Sequence, residues 1–492
     1  MIFRSPYKSL PIPEDASIWN VLEQQARDRP KAPAFVCGLT DHALTFAQVL
    51  QQARSICAGL ASDGVKKGDV VVLRSFNCVE YPVVFLALNR LGVVCSPSSP
   101  HFNATELANH IELVKSKDMV IKALPLPILP PLRGSDIVAM PLSSGTTDRP
   151  KGVELSARAL YAAGLLSSTV DGRVPYLLGL MPFFHIMAMK QFHVTIFLGS
   201  AIVILPRFEP ATFLRVVEKY KMQKLALAPP LVTFLAKHPI VDKYDLSHVK
   251  YLNSGGSPLG VEVIRAVYDR LGAHVLQGYG MTEFAAGVSY SNASNFRDGA
   301  SGLLLPNVEM KVKCLETDAD LSANEPGELL FRTPTMMRGY LNNPEANSRT
   351  FTADGFFRTG DIGYIDDDGY VFIIDRLKDL IKYKGHQVAP AEIEDVINSH
   401  HDVMDSCCVR GLDVVSGEEV PKAFVVRKAR SDLTEQELID FVVSKVAGYK
   451  RVREIEFIDA IPKSPSGKLL RKELQAVENE RIKTRLATSS RL

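Results

Sequence analysis

Short apolar runs rich in β-branched residues alternate with helix-like patterns along the chain as far as about Ala300. Residues 70–73 form the first clear buried run, residues 81–91 repeat apolar positions with helical spacing, and residues 93–95 form the next run. The alternation continues with predicted strands at 201–205 and 224–228 and predicted helices at 210–220 and 259–271. Buried strands separated by helices are typical of parallel sheets in α/β layers. The pattern therefore predicts an α/β fold with layered subdomains.

The pattern changes after about Ala300. Three short predicted strands, separated by Gly, Asp and Asn turns, indicate a more antiparallel β portion at residues 308–315, 327–332 and 369–374. A separate block follows Arg376, with predicted helices at 390–399 and 434–447 and predicted strands at 406–410 and 422–427. That content is enough for a small α+β domain at the C-terminal end of the chain.

Composition excludes several classes of function. The 492 residues include 57 lysines and arginines and 55 aspartates and glutamates, a formal net charge of +2. This small net charge does not indicate binding to nucleic acid or to an anionic membrane. The seven cysteines are scattered and contain no CxxC pair, which supports neither a disulfide framework nor a zinc site. The most apolar run, residues 194–205, is shorter than the roughly 20 residues that a membrane span needs. We therefore expect a soluble protein without a transmembrane segment.

The segment 142–152 is the most informative part of the sequence. It follows an apolar run and combines four hydroxyl groups, two glycines and a lysine: Ser143, Ser144, Gly145, Thr146, Thr147, Lys151 and Gly152. Small residues allow close backbone approach, and successive N–H groups, hydroxyls and an ammonium can surround an anion. The segment predicts a polyphosphate cradle, although it is not a Walker A loop because Pro150 precedes the lysine. The alternative is a flexible Ser/Thr loop.

Two further segments carry carboxylates next to glycines. In the run 277–283, Gly278, Tyr279 and Gly280 precede Thr282, which could bond a phosphate oxygen, and Glu283, which could hold Mg²⁺. The alternative is a strand that ends in a turn with Glu283 as a surface charge. The Thr-Gly-Asp segment 359–361 lies in a predicted turn, where Asp361 could accept both hydroxyls of a ribose or be an ordinary turn residue.

Cationic residues are concentrated in two segments near the C-terminal end. Residues 376–385 carry a lysine or arginine at nearly every second position, and the turn-rich segment 462–468 presents Lys468. Taken alone, each is typical of solvated side chains.

The order of these motifs resembles the adenylate-forming (AMP-binding) superfamily, in its acyl-CoA synthetase and 4-coumarate–CoA ligase-like branch. The resemblance covers residues from about Ser17 to Lys472. It implies a domain at 1–377, a mobile α+β domain at 378–492 and a hinge at Lys378. It also implies an ATP-dependent acid–CoA ligase that uses ATP, Mg²⁺, coenzyme A and a fatty or aryl carboxylic acid, through an acyl-adenylate.

The resemblance assigns roles to individual residues. Lys468 would contact both the carboxylate and the α-phosphate, and charge stabilisation there would grow as the bridging oxygen forms. The nucleotide would be held by Ser143, Ser144, Gly145, Thr146, Thr147 and Lys151 at the β- and γ-phosphates, Gly278, Tyr279, Gly280 and Thr282 beside the α-phosphate, and Asp361 and Arg376 at the ribose. Glu283 would hold Mg²⁺. After a rotation at Lys378, the face with Lys382, Gly385 and Gln387 would serve thioester formation.

The resemblance also predicts the acyl pocket. His185 lies in an aromatic-rich motif beside the pocket, and Gly255, Gly256 and Ser257 match a loop that lines it. Met187 occupies a position that is usually tyrosine in hydroxycinnamate ligases. Its thioether favours a more apolar acyl group, such as a fatty or plain aryl acid.

The sequence departs from the family pattern in two places. Asp148 replaces a glycine in the phosphate loop, and a carboxylate at 4 Å from a phosphate charge costs about 1 to 4 kcal/mol, depending on the dielectric. The segment 98–141 is shorter than the family norm by at least a βαβ unit, about 30 residues, which predicts exposed apolar surface. Both departures keep open a non-catalytic or impaired paralogue that binds nucleotide or acyl ligand. The shared motifs also leave open a luciferase-like oxygenase.

The last three residues, Ser490, Arg491 and Leu492, match the Ser-Lys-Leu peroxisomal signal with arginine in place of lysine. We expect a peroxisomal protein that binds the import receptor through this tripeptide, or a cytoplasmic protein if the signal is not read.

Overall fold

The computed structural model describes residues 1–116, 129, 131–143, 150–255, 259–384, 386–413, 416–463 and 469–489. The helices are α1 (Ile18–Asp28), α2 (Phe46–Ser62), α3 (Glu80–Leu91), α4 (Ala104–Val114), α5 (Ala157–Asp171), α6 (Ile186–Leu198), α7 (Pro210–Lys219), α8 (Pro229–Lys237), α9 (Val261–Leu271), α10 (Pro344–Thr350), α11 (Pro390–Asn398), α12 (Glu435–Val443) and α13 (Arg471–Ser489). Two 3-10 turns span Pro239–Lys243 and Thr282–Phe284.

The strands as far as the Thr282 turn are β1 (Phe3–Arg4), β2 (Pro33–Cys37), β3 (Ala43–Thr45), β4 (Val70–Arg74), β5 (Val94–Ser98), β6 (Ile137–Ala139), β7 (Leu142–Ser143), β8 (Lys151–Ser156), β9 (Tyr176–Gly179), β10 (Ala201–Ile204), β11 (Lys224–Leu227), β12 (Tyr251–Ser254) and β13 (His274–Met281). The later strands are β14 (Ala286–Tyr290), β15 (Leu303–Leu304), β16 (Glu309–Lys313), β17 (Gly327–Arg332), β18 (Gly339–Tyr340), β19 (Phe357–Ile365), β20 (Val371–Arg376), β21 (Ile381–Tyr383), β22 (His386–Val388), β23 (Val403–Leu412), β24 (Glu419–Arg427) and β25 (Glu454–Phe457).

Three sheets contain the parallel strands that the sequence predicts. Their strand orders are β18-β8-β6-β5-β4, β3-β2-β10-β9 and β11-β12-β13-β14-β15. The pairs β4 with β5, β9 with β10, and β11 with β12 are parallel, and helices pack on these sheets. The predicted α/β fold is therefore confirmed. The predicted elements fall on observed ones with ends that differ by a few residues, as for helix 259–271, which is α9 (Val261–Leu271).

Local sequence explains where several helices begin and end. Thr45 caps α2 by accepting the amide hydrogen of Gln48, whose side chain accepts the Thr45 amide hydrogen in return. Helices α3 and α6 end at Gly92 and Gly199, both in the left-handed region with φ of 73° and 58°. Glycine adopts that conformation without steric cost, so each residue stops its helix and redirects the chain into a strand.

The shortened segment does not interrupt the sheet on either side of it. β5 pairs in parallel with β6 at Cys95 and Ala139, and β6 pairs in turn with β8. Beside this junction, Val94, Val114 and Met140 form a small buried cluster. The expected exposure of apolar surface is thus not seen at these described flanks, while residues 117–128 lie outside the described ranges.

The predicted antiparallel portion is a sheet with the order β1-β16-β17-β19-β20. Its pairs β16–β17, β17–β19 and β19–β20 are all antiparallel. The N-terminal strand β1 completes one edge through pairing of Phe3 with Met310. The sequence offered no signal for that pairing, because two residues are too few to show a period.

The C-terminal residues form a hairpin, β21–β22, and a sheet with the order β23-β24-β25. Helices α11, α12 and α13 pack on these strands, and residues such as Ile393, Cys408, Val425 and Leu438 form a core there. Lys422, buried in β24 with 1% of its side chain exposed, pairs with Glu454 at 2.5 Å and with Glu478 of α13 at 2.7 Å. These ion pairs attach the long C-terminal helix to the sheet.

Helix α13 continues through Ser489, directly before the predicted targeting tripeptide. Arg485 pairs with Glu478 and, at 3.1 Å, with Glu454. The residues before the tripeptide are therefore helical and anchored at Arg485, and the tripeptide itself lies outside the described ranges. Across the part of the chain that the structure covers, no helix combines the length and the apolar character needed to cross a bilayer.

Candidate active site

The ends of the predicted phosphate cradle are fixed by a hairpin. Ser143 of β7 and Lys151 of β8 are cross-strand partners, and Leu142 pairs with Gly152. The hydroxyl oxygen of Ser143 is buried and has no hydrogen-bond partner among the described residues. The cradle residues Ser144, Gly145, Thr146 and Thr147, as well as Asp148, lie outside the described residues. The pairing of β7 with β8 nevertheless places the buried Ser143 hydroxyl and Lys151 on adjacent strands, on either side of residues 144–149, as a polyphosphate site requires.

Glu283 lies in the 3-10 turn after β13 and is only 5% exposed. The hydroxyl of Tyr340 donates a 2.8 Å hydrogen bond to its Oε1, and the Met337 amide donates to its backbone oxygen at 2.7 Å. Burial, with the Glu283 carboxylate next to it, raises the pKa of the Tyr340 phenol, so the phenol stays a donor. The interpretation of Glu283 as a surface charge is therefore wrong.

Tyr340 also connects the carboxylate to the phosphate hairpin. Its strand β18 pairs with β8, where Tyr340 faces Val153. The ammonium of Lys151 lies 4.8 Å from the centroid of the Tyr340 ring, a cation–π geometry. One phenol thus contacts the predicted metal ligand Glu283 and the predicted phosphate ligand Lys151. Sequence analysis missed this residue, because contacts between distant segments leave no local signal.

The second buried carboxylate of the site is that of Asp361, which is bound by Tyr279 of the glycine-rich strand β13. The hydroxyl of Tyr279 donates a 2.5 Å hydrogen bond to Oδ2 of Asp361, and Nε of Arg376 lies 3.4 Å from Oδ1. Asp361 and Arg376 are cross-strand partners in β19 and β20, and Asp361 is 6% exposed. Burial and the Asp361 charge raise the pKa of Tyr279 well above its usual range.

The Thr-Gly-Asp segment is part of strand β19, so its placement in a turn was wrong. Gly360 has a φ of +68°, in the left-handed region that favours glycine, and its amide donates to Glu328 at 3.2 Å. The Thr359 hydroxyl accepts the Asp361 amide hydrogen at 3.0 Å and donates to Leu329 at 2.7 Å. The local distortion of the strand fixes the carboxylate of Asp361 against Tyr279 and Arg376.

Two residues of the predicted acyl pocket, Gly255 and Met187, lie close together at the carboxyl end of β12. A Cβ at Gly255 would lie 3.4 Å from the backbone oxygen of Gly278 and 3.9 Å from Cε of Met187. His185 is the N-cap residue of α6 without a side-chain capping hydrogen bond, and its ring is tilted by 38° against that of Phe184, with ring centroids 4.6 Å apart. The carboxyl ends of parallel strands are the usual place for ligands in α/β sheets. Gly256 and Ser257 lie outside the described residues.

The remaining predicted residues belong to the C-terminal part of the chain. Lys378 is exposed in the turn between β20 and β21, where partial desolvation, together with the charges of Arg376 and Lys472, lowers its pKa. Lys382 and Gln387 are cross-strand partners on the β21–β22 hairpin and both are exposed. The contacts that join Tyr279, Asp361 and Arg376 do not include this hairpin, and Gly385 in its turn lies outside the described residues.

Lys468 also lies outside the described residues, and the structure anchors the residues on either side of its segment. Lys463 and Leu469 form an antiparallel bridge, and Lys463 pairs with Asp405 at 2.6 Å. Arg471 binds the buried carboxylate of Glu394, with one contact at 3.1 Å. These contacts anchor the described residues on either side of the segment 464–468.

The fold and site define a nucleotide-binding α/β enzyme with an acidic, glycine-lined centre. The sequence profile of the AMP-binding enzyme family matches residues 22–128 and 122–341, and the profile of the AMP-binding enzyme C-terminal domain matches residues 392–468. The chain therefore belongs to the AMP-binding enzyme family, among its ATP-dependent, AMP-forming acid–CoA ligases.

Curated relatives and solved structures agree with this assignment. 4-Coumarate–CoA ligase 2 of Oryza sativa subsp. japonica is 36% identical, with 96% of this chain and 95% of the relative covered. 4-Coumarate–CoA ligase 1 of Solanum tuberosum is 34% identical, with 97% and 96% covered. ATP-bound MatB from Rhodopseudomonas palustris superimposes with a TM-score of 0.87 at 26% identity, over 93% of this chain and 98% of that chain.

Proposed function

We propose that the protein joins a fatty or aryl, cinnamate-like carboxylic acid to coenzyme A. In the first step a carboxylate oxygen bonds to the α-phosphorus of ATP and pyrophosphate leaves, giving an acyl-adenylate. In the second step the CoA sulfur bonds to the acyl carbon and AMP leaves. The observation that supports this most is the β13 segment, which brings Tyr279 to Asp361 and Glu283 to Tyr340 within one short stretch of chain.

The residue roles are those that the family resemblance implies, and the placement of the described residues supports them. Asp361 and Arg376 would bind the ribose, since a buried carboxylate oriented by one hydrogen bond and one ion pair can accept hydroxyl hydrogens. Ser143 and Lys151, with the loop between them, would hold the β- and γ-phosphates, and Thr282 the α-phosphate. Lys468 would stabilise the charge that develops between the carboxylate and the α-phosphate.

The residues present fit a magnesium ion. Mg²⁺ in nucleotide sites takes one or two carboxylates together with substrate phosphates and water, and it would neutralise phosphate charge. Glu283 supplies a buried carboxylate whose orientation is fixed by Tyr340, beside the hairpin that carries Ser143. An oriented ligand of this kind is what a carboxylate–metal contact requires.

The half-reactions test the assignment separately. Exchange of labelled pyrophosphate into ATP reports adenylate formation, and thioester formation reports the complete reaction. Lys468→Ala should abolish both, whereas Lys382→Ala and Gln387→Ala, on the second face across the hinge at Lys378, should spare exchange and slow thioester formation. Lys483→Ala is the matched control, since Lys483 is an exposed lysine that pairs with Glu480 at 2.6 Å.

Measurement of AMP release with a panel of medium- and long-chain fatty acids, cinnamates, phenylacetate and benzoates identifies the acid substrate.

Asp148 motivates the second candidate function, a paralogue that binds nucleotide without turnover. If no acid yields AMP from folded protein and Asp148→Gly restores activity, the chain is an impaired enzyme and the proposed activity is wrong. Oxygen uptake on an adenylate would identify a luciferase-like oxygenase.

We also propose import into peroxisomes through Ser490, Arg491 and Leu492. The agreement of this tripeptide with the Ser-Lys-Leu signal supports the proposal, and helix α13 ends at the residue before it. A fluorescent protein that carries residues 471–492 should collect in peroxisomes, and the same fusion without the last three residues should stay in the cytoplasm. A cytoplasmic distribution for both would overturn this proposal.

A further inference from the structure

The carboxylate of Asp375 connects the N-terminal domain to the C-terminal domain. Asp375 lies near the end of β20, directly before Arg376 and shortly before the predicted hinge at Lys378. Its Oδ1 accepts the amide hydrogen of Arg376 at 2.7 Å, and its Oδ2 accepts that of Ala391 at 2.9 Å. Ala391 belongs to α11, on the other side of the hinge. One carboxylate therefore binds the backbone of a predicted ribose ligand and a helix of the C-terminal domain.

Helix α11 takes its N-terminal cap from this carboxylate. The first amide groups of a helix have no partner within it, and a Ser, Thr, Asp or Asn at the N-cap usually accepts one of them. The N-cap residue of α11 is Ala389, which makes no side-chain capping hydrogen bond, and Pro390 carries no amide hydrogen. Asp375 supplies an acceptor from the N-terminal domain. The Ala391 amide therefore keeps this cap only while the two domains keep this orientation.

Burial strengthens the two bonds to Asp375. The residue is 9% exposed. Burial raises the pKa of its carboxyl group, whereas the charge of Arg471 and the two amide hydrogen bonds act in the opposite direction. Hydrogen bonds to a charged acceptor are stronger than those between neutral groups, and they gain further strength away from water. Loss of one donor would leave part of a buried carboxylate unsatisfied, which is costly.

Apolar residues from both sides of the hinge also pack together near Asp375. Ile362, its cross-strand partner, forms a buried cluster with Leu380 and Ala389. Ile362 precedes the hinge, whereas Leu380 and Ala389 follow it. The described orientation thus contains a defined interdomain joint, made of this apolar cluster and the shared carboxylate. The predicted rotation would have to open the joint and break the bond between Asp375 and α11.

Two features of the C-terminal domain relate this orientation to adenylate formation. Lys382 and Gln387, on the hairpin face assigned to thioester formation, are exposed. Arg471, three residues after Lys468, instead reaches the joint, where its Nε lies 3.9 Å from Oδ2 of Asp379. In the proposed function Lys468 serves the first half-reaction and the hairpin face serves the second. The joint therefore belongs with the first half-reaction.

We propose that Asp375 is a positioning residue that holds the C-terminal domain in the orientation of adenylate formation. This inference rests on the proposed ligase function and adds a residue that acts through the orientation of a domain, without contact to substrate. Passage to the second half-reaction requires the carboxylate to release the Ala391 amide. The strength of this bond thus sets how the protein divides between the two orientations.

Substitution of Asp375 should change the ratio of the two half-reactions. Exchange of labelled pyrophosphate into ATP measures the first, and thioester formation from a preformed acyl-adenylate and CoA measures the second. Cinnamate and octanoate, with their synthetic adenylates, are the probes. A merely structural role would slow both half-reactions alike and leave their ratio unchanged.

The two variants remove the acceptors to different extents. Asp375→Ala removes both, and we expect the ratio of exchange to thioester formation to fall on the order of tenfold. Asp375→Asn keeps the volume and one acceptor oxygen, so it should give an intermediate ratio. Because the alanine variant could fail to fold, the asparagine variant then carries the test.

Asp366→Ala and Asp366→Asn are the matched controls. Asp366 lies in the turn between β19 and β20, and its Oδ1 accepts the amide hydrogens of Asp368 and Tyr370 at 3.1 and 2.8 Å. It is therefore also a carboxylate that binds two backbone amides, but both amides belong to the N-terminal domain. The ratio of the half-reactions in these variants should equal that of wild type.

The orientation of the domains is measured separately from catalysis. Spin labels on noncanonical residues at positions 349 and 483 report the distance between the domains, since Arg349 and Lys483 are exposed on α10 and α13. The unliganded wild-type protein should give one main distance. Asp375→Ala should add a second distance, and Asp366→Ala should match wild type.

The outcomes separate this proposal from the proposed function. A wild-type ratio in the folded Asp375 variants overturns the positioning role and leaves the ligase intact. A ratio that rises assigns the joint to thioester formation and also overturns the proposal. If no acid supports exchange or AMP release, the ligase function fails and the distance measurement decides alone. Equal distance distributions in wild type and the Asp375 variants then overturn the positioning role.

Discussion

The Tyr340 hydroxyl donates a 2.8 Å hydrogen bond to the carboxylate of Glu283, 57 residues away along the chain. The same ring lies beneath the ammonium of Lys151 at 4.8 Å. One phenol therefore fixes a predicted metal ligand and a predicted phosphate ligand relative to each other. In the proposed function, both groups would face the phosphates of MgATP.

Removal of this hydroxyl should weaken the use of MgATP. Tyr340→Phe keeps the ring under Lys151 and removes the donor to Glu283, so the carboxylate loses its fixed orientation. Partners of metal ligands typically contribute about 10- to 100-fold in metal affinity or activity, and we expect a loss in that range. The measurement is the Mg²⁺ concentration that gives half-maximal AMP release.

Tyr220→Phe is the control for this experiment. Its hydroxyl donates to the exposed carboxylate of Asp41 at 2.7 Å, a comparable bond on the surface. An equal Mg²⁺ requirement in wild type and Tyr340→Phe would show that the bond does not serve the metal.

The bond between Tyr279 and Asp361 should act on the nucleotide. Tyr279→Phe removes one of the donors that orient Asp361, and Arg376 remains at 3.4 Å. A charge-assisted bond of this kind contributes about 1.5 to 3 kcal/mol, which corresponds to roughly 10- to 150-fold in affinity. We expect an increase in KM for ATP with a smaller change in KM for the acid. If KM for the acid changes as much as KM for ATP, Asp361 does not bind the ribose.

Arg471 should stabilise the loop that carries Lys468. It binds the buried carboxylate of Glu394, and Arg471→Met leaves that carboxylate without its cation. Breaking one partner of a buried pair costs about 3 to 5 kcal/mol, whereas replacing both by apolar residues is nearly neutral. Arg471→Met should therefore lower the free energy of unfolding, and the double variant Arg471→Met with Glu394→Leu should recover most of it.

Chemical denaturation measures this effect. Arg349→Met is the control, because Arg349 pairs with Glu345 on the surface with 77% of its side chain exposed. If Arg471→Met lowers the free energy of unfolding no more than Arg349→Met does, the buried pair of Arg471 and Glu394 contributes little to stability.

Two buried histidines should make the fold sensitive to acid. Burial lowers the pKa of His193 and of His110 to about 4 from an ordinary value of 6.5. Between these values the unfolded chain binds protons that the folded protein does not, so stability is full above pH 6.5 and falls as the pH drops toward 4. For each histidine, the difference between the pKa values of the unfolded and folded states corresponds to about 3 kcal/mol in the free energy of unfolding.

His193→Phe should remove one of the protons that the chain takes up on unfolding at acid pH. The free energy of unfolding of the variant should therefore fall less steeply with decreasing pH. Phenylalanine keeps the stack on Phe192, whose ring centroid lies 4.9 Å away. Urea midpoints at pH 7.5, 6 and 5 give the slope, and exposed His42→Phe should match wild type. A slope in His193→Phe as steep as in wild type would contradict the assignment.

Two glycines beside the acyl pocket should respond differently to alanine. A Cβ at Gly278 would lie 2.8 Å from Cδ2 of Tyr290 and 3.1 Å from a backbone oxygen, whereas a Cβ at Gly255 meets nothing closer than 3.4 Å. Overpacking costs about 1 to 3 kcal/mol, so Gly278→Ala should lower Tm and Gly255→Ala should lower it less. Equal Tm values would show that the Tyr290 ring moves freely.

Local pattern predicted most of the secondary structure, because apolar periodicity depends only on neighbours in the chain. Residues 70–73 and 81–91 appear as β4 and α3 with nearly the same ends. The same pattern misplaced Asp361, because glycine and aspartate favour turns when considered alone. In the fold, pairing with β17 and β20 draws the segment into strand β19.

The sequence by itself determined the family, the order of the motifs and the residue types at each predicted contact, since these are properties of the chain. Only the tertiary structure decided that Glu283 is buried under Tyr340 and that Asp375 binds the amide of Ala391. Contacts of this kind join segments far apart in the chain, and their burial depends on how sheets and helices pack. No pattern within one segment carries that information.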